Sequence, residues 1–124
     1  MPQIGRRQWV IADGWIPPRS TGSDPALISH EAACILNATE ADANVTFTIF
    51  FTDAEPQGPV RITVPSRRAW HQNLGELPAP VKVPVATDYC VLIESDVPIV
   101  VQHTRLDSRQ AENALMTTIA YPGE

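Results

Sequence analysis

From Asn44 to Asp53 the chain alternates without a break. Val45, Phe47, Ile49 and Phe51 fall on one side, and Thr46, Thr48, Phe50 and Thr52 on the other. β-Branched and aromatic residues at a period of two fit a pleated, half-buried strand and no helix. The rest of the chain is punctuated in a way that extends this reading. Twelve prolines stand against six glycines, mostly between apolar runs, as expected of short strands joined by stiff turns.

Seven further strands are expected: Gln8 to Ala12, Leu27 to Asn37, Val60 to Val64, Arg68 to Gln72, Asp88 to Glu94, Pro98 to Leu106 and Leu115 to Tyr121. Ser95-Asp96 is read as the turn of a hairpin between the fifth and sixth of these. Glu55 to Pro59 is read as a turn, and Leu77 to Pro84, with three prolines, as an extended loop. Asp107 to Asn113 is expected to hold one helical turn capped by Asp107, with Gln110 three residues on. The fold class that follows is all-β: an antiparallel β-sandwich of about seven to eight strands with little helix, forming one domain over residues 1–124.

Composition narrows the function. The 124 residues carry a net charge of −5, which disfavours general nucleic-acid binding. No stretch reaches the ~20 apolar residues of a membrane helix. Met1-Pro2-Gln3 and Arg6-Arg7 are followed by no apolar segment of a secretory signal, so a cytoplasmic location is expected. Cys34 and Cys90 are then expected as free thiols. There is no P-loop, dinucleotide glycine motif or nucleophile elbow.

Chemistry concentrates at the end of one strand. Ile99-Val100-Val101 leads into Gln102-His103-Thr104-Arg105-Leu106-Asp107-Ser108-Arg109-Gln110, and on to Glu112 and Asn113. A segment that begins as core and ends this polar must emerge at a surface or a pocket. Arg105 lies beyond the apolar part, so its donors are expected to serve a site and not the core. His30 shares a face with Ile28, Ala32, Cys34 and Leu36, where it either lines a cleft beside Glu31 or is a hydrogen-bonded core histidine. Trp15, beside a proline-rich loop, suits stacking at a rim, whereas Trp9 suits the core. His30, His71 and His103 would make a metal site only if their strands were neighbours and their rings converged.

Several phrases carry a family likeness: Gly14-Trp15-Ile16-Pro17-Pro18, Ser29-His30-Glu31, Cys34-Ile35-Leu36-Asn37, Val64-Pro65 with Arg67-Arg68 and His71, and Val97 through Gln110. With these the chain resembles the sensory rhodopsin transducer family nearly end to end. The resemblance implies a small soluble all-β domain that forms a homotetramer and passes information from a membrane photoreceptor to the cytosol. It also implies binding of a small polar, sugar-like molecule in a cleft.

The resulting expectation is a non-enzymatic cytoplasmic binding and relay module. Its ligand-binding residues are expected to be Trp15, His30, Glu31, His71, His103, Arg105, Asp107 and Arg109. No catalytic residue, metal ligand or cofactor is assigned. The expected partners are further copies of the chain, a membrane sensory rhodopsin and a small polar ligand, with no membrane insertion. The competing classes are a His-rich metal-dependent enzyme and a DNA-binding regulator.

Overall fold

A computed structural model describes residues 3–123. Its eight strands are β1 (Arg6–Gly14), β2 (His30–Asn37), β3 (Ala43–Phe51), β4 (Gln57–Val64), β5 (Arg68–Asn73), β6 (Tyr89–Asp107), β7 (Ala114–Ile119) and β8 (Tyr121–Pro122). All pairings are antiparallel. Among the described residues the helical content is a single 3-10 turn, Pro25–Leu27. The all-β class read from the alternation is the observed one.

The architecture turns on β6, which is 19 residues long. Its first half, from Tyr89 to Ser95, lies between β3 and β1 in a sheet ordered β4-β3-β6-β1-β8. Its second half, from Val100 to Asp107, lies between β2 and β7 in a sheet ordered β5-β2-β6-β7. The two sheets are therefore continuous through one strand, and their inner faces meet in one core. Val45, Phe47 and Ile49 of β3, Val91, Ile93, Ile99 and Val101 of β6, Ile11 of β1 and Ile35 of β2 are all buried there. Trp9 joins them, its indole N–H donating to the Arg6 and Ile99 carbonyls, both at 3.0 Å. Burying each of the Val, Ile and Phe side chains stabilises by roughly 1.5–3 kcal/mol.

Four local expectations are corrected. Ser95-Asp96 is not a turn, because Asp96 binds sideways: its carboxylate accepts from the Asn44 amide at 2.9 Å and the Asn44 side chain at 2.8 Å. That ties β6 to β3 as the backbone changes sheets, and Pro98, which has no N–H to give a ladder, stands at the handover. The strand expected from Leu27 begins only at His30, since Asp24 accepts from the Ala26 amide and caps the 3-10 turn. No helical turn follows Asp107, whose carboxylate is instead gripped by the Arg109 guanidinium. The last expected strand is split in two. Buried Ala120 donates its amide to Val101 between β7 in one sheet and β8 in the other.

Candidate functional site

Strand alternation divides the expected site residues between two faces. In β2, Glu31, Ala33 and Ile35 point to the core while His30, Ala32 and Cys34 point away. In β6, His103 and Arg105 share the face of Glu31, and Thr104 shares that of His30. The eight residues therefore form three groups.

The first group is buried. The Glu31 side chain is 0% exposed, and each of its oxygens accepts two hydrogen bonds. Oε1 takes the Trp15 amide at 2.8 Å and the Tyr89 hydroxyl. Oε2 takes His103 Nε2 at 2.9 Å and Arg105 Nε at 2.8 Å. Burial alone would push the Glu31 carboxyl up. The bonds from His103, Tyr89 and Trp15, with the Arg105 charge, outweigh it and hold the group below its ordinary value. Burial, and then the Glu31 charge, push the Tyr89 phenol up. Arg105 continues to the Asp13 carbonyl at 2.8 Å. Tyr89, Trp15 and Asp13 belong to the β1 side of the molecule and Glu31, His103 and Arg105 to the β2 side, so the carboxylate fastens the two sheets at one end. Arg105, its side chain 19% exposed, thus bridges buried Glu31 and exposed Asp13. Tyr89 was not foreseen. Its signal was its phase, since it falls on the inward face with Val91 and Ile93, where a hydroxyl needs a partner.

The second group lies on the surface. Asp107 grips Arg109 through Oδ2–Nη2 at 2.7 Å and Oδ1–Nε at 2.9 Å. The Arg109 guanidinium lies 4.9 Å from the Trp15 ring centroid, a cation–π distance. Hydrogen bonding from Arg109 lowers the Asp107 carboxyl, and the same bonds raise the Arg109 guanidinium. The Trp15 ring thus stacks on a residue of its own chain.

The third group lies on the outer face of the β5-β2-β6 sheet. His30 and His71 border an open groove of about 450 Å3 with Pro25, Ile28, Cys34, Asn73, Glu76 and Thr104. Register puts His71 opposite Cys34 and Asn73 opposite Ala32. His30 Nδ1–H donates to the Ile28 carbonyl at 2.7 Å, which leaves Nε2 for a ligand. Asn73 Oδ1 accepts from the Gly75 amide at 2.8 Å, so its free end is the donor. Imidazole, amide, hydroxyl and carboxylate therefore meet over a floor of Ala32 and Cys34. Asn73, Glu76 and Thr104 were missed because no local motif marks them. They are neighbours only through strand pairing. His103 lies on the other side of the sheet, so the three histidines do not converge. Among the described residues no three His, Cys, Asp or Glu side chains are grouped to hold a metal.

Comparison with known proteins follows the same architecture. A solved structure, that of Thermotoga maritima 1070, superposes with a TM-score of 0.85 at 32% identity, covering 98% of each chain. The solved Anabaena sensory rhodopsin transducer superposes with a TM-score of 0.76 at 55% identity, over 90% of this chain and 96% of that one. No curated protein matches. The family model for the Anabaena sensory rhodopsin transducer matches residues 4–122. With that span and that identity, the chain belongs to the Anabaena sensory rhodopsin transducer family.

Proposed function

We propose that this chain is a non-enzymatic relay module of the cytoplasm, acting as one domain over residues 1–124. In this reading it assembles as a homotetramer, takes a small polar, sugar-like ligand, and passes a signal by protein contact from a membrane sensory rhodopsin. Family membership supports the transducer role. Among the described residues no helix is long and apolar enough to cross a membrane.

The observation that carries the ligand reading is the outer groove. A polyol needs several donors and acceptors in fixed directions beside an apolar surface. His30, His71, Asn73, Glu76 and Thr104 supply the first, and Ala32, Ile28 and Pro25 the second. His30 and His71 are the contact residues in this reading. Glu31, His103 and Arg105, on the opposite face of the same strands, hold those strands in place. Trp15, Asp107 and Arg109 form a separate polar rim.

The test is calorimetric titration with a panel of monosaccharides and sugar acids at millimolar concentration. At least one should bind with 1:1 stoichiometry per chain. A His30→Ala/His71→Ala double variant should lose that binding by about tenfold or more, since each lost polar contact to a ligand costs about 0.5–1.5 kcal/mol. Arg109→Ala should keep it. No binding across the panel, or equal binding by the double variant, would remove the groove from the mechanism.

A further inference from the structure

Where the strands of the other sheet end, beside the Glu31 network, lies a second groove that the ligand reading does not use. It crosses the ends of four neighbouring strands: Gln57 of β4, Phe50 and Phe51 of β3, Tyr89 and Cys90 of β6, and Ala12 to Gly14 of β1. Two adjoining hollows of about 400 and 430 Å3 share Phe51, Thr52 and Asp88. The lining includes Phe51, Ala54 and Pro84, and Phe50 is 40% exposed.

The charged residues that line the two hollows are acidic. Asp53 follows β3, Asp88 precedes β6 and Asp13 closes β1, so each of three adjacent strand ends brings one carboxylate. Among the described residues no Lys or Arg lines either hollow. Arg105 stands at the border, bonded to Glu31 and to the Asp13 carbonyl, with its guanidinium 3.7 Å from the Asp13 carboxylate; among the described residues Asp53 and Asp88 have no such ion pair. Four strands at about 4.8 Å spacing span roughly 14 Å, the length of about four extended residues. The floor is also firm. Tyr89, which lines it, is bonded through its hydroxyl to buried Glu31.

We propose that this groove docks a short extended segment bearing Lys or Arg from the cytosolic side of a membrane protein. The proposal deepens the relay reading above and rests on it for the partner being a membrane protein. Cytosolic loops and flanks of membrane proteins carry an excess of Lys and Arg. The Asp53 and Asp88 carboxylates attract such a segment, and the Phe rings accept a guanidinium face or an aliphatic stem. The same charge repels anionic lipid headgroups and nucleic-acid phosphates, so neither is the occupant.

The test uses the intact chain and a fluorescent eight-residue peptide carrying four arginines and two leucines, read by anisotropy. The peptide should bind, and binding should weaken as salt is raised. Asp53→Asn/Asp88→Asn should weaken it by about tenfold, as removal of two close charge pairs does. Glu40→Gln/Glu112→Gln, which removes the same charge from exposed sites outside the groove, should change it by less than about twofold. Ala54→Arg places a cation at the exposed mouth and should abolish binding. Vesicles of phosphatidylserine should not retain the protein. No peptide binding, equal losses in the two double variants, or binding unaffected by Ala54→Arg would overturn the proposal, as would retention on the vesicles. These outcomes are separable from the ligand reading. Sugar binding that survives in a chain that ignores the peptide refutes the docking groove alone, and the converse refutes the sugar groove alone.

Discussion

At Glu31 the whole network rests on one carboxylate. A buried charge is tolerated only when it is paired and hydrogen-bonded, and here four donors meet two oxygens. Glu31→Gln puts an NH2 where one oxygen accepted and leaves donors facing a donor. Breaking a buried pair in this way costs about 3–5 kcal/mol, so urea unfolding at neutral pH should show a loss near 3 kcal/mol. The pH dependence follows from the lowered carboxyl. A carboxyl whose folded value lies below its ordinary 4.5 contributes stability above that pH and loses it as pH falls through the folded value. The wild type should therefore weaken steadily on acidification below about 4.5, and Glu31→Gln less steeply. Parallel slopes for the two proteins would place the acid-sensitive group elsewhere. The sequence made His30-Glu31 conspicuous but did not say which of the two faced inward. Alternation fixes only that they face opposite ways, and the core side was decided by Ala33 and Ile35 packing inward with Glu31.

At the scale of the element, β6 was legible as two strands and is one. Its apolar positions, Val91, Ile93, Ile99 and Val101, were readable. The bond from Asp96 to Asn44, 52 residues away, was not, since Ser-Asp is ordinary turn chemistry until a partner strand claims the carboxylate. The swap at the C-terminus has the same origin. Leu115 to Tyr121 reads as one run, and only the bond from the Ala120 amide to Val101 shows where it leaves one sheet for the other. Close approach of β1 to β6 is a further element-scale requirement, because a Cβ on Gly14 would lie 2.6 Å from both the ring and the carbonyl oxygen of Tyr89. The carbonyl cannot swing aside without breaking the ladder, and the ring is held by Glu31. Overpacking of this kind costs about 1–3 kcal/mol. Gly14→Ala should lower stability by at least about 1 kcal/mol, and Gly75→Ala, whose nearest neighbour is the Asn73 side-chain oxygen at 3.3 Å, by less. Equal effects would mean that the β1–β6 approach is looser than its geometry implies.

For the whole molecule the unresolved demand is β7. All six of its residues are exposed, and β7 pairs with β6 on one side only among the described strands. Leu115 is 69% exposed, Ile119 63% and, just beyond, Tyr121 71%. A one-sided edge strand with large apolar side chains invites pairing with another chain unless it is charged or covered, and no Lys, Arg, Asp or Glu occurs from Ala114 to Ile119. Leu36, on the same sheet, is also 42% exposed. Copies of the chain that pack on this edge bury the patch, and closed symmetry lets every copy do so. We therefore expect light scattering to give a mass about four times the 13.6 kDa of one chain, in line with the tetramer proposed above. Leu115→Glu/Ile119→Lys, with both changes on exposed side chains, should lower that mass while leaving the circular dichroism spectrum of the strands intact. A monomeric wild type would refute the tetramer. A double variant that stays tetrameric would place the interface on another face and leave the apolar edge of β7 to a different occupant.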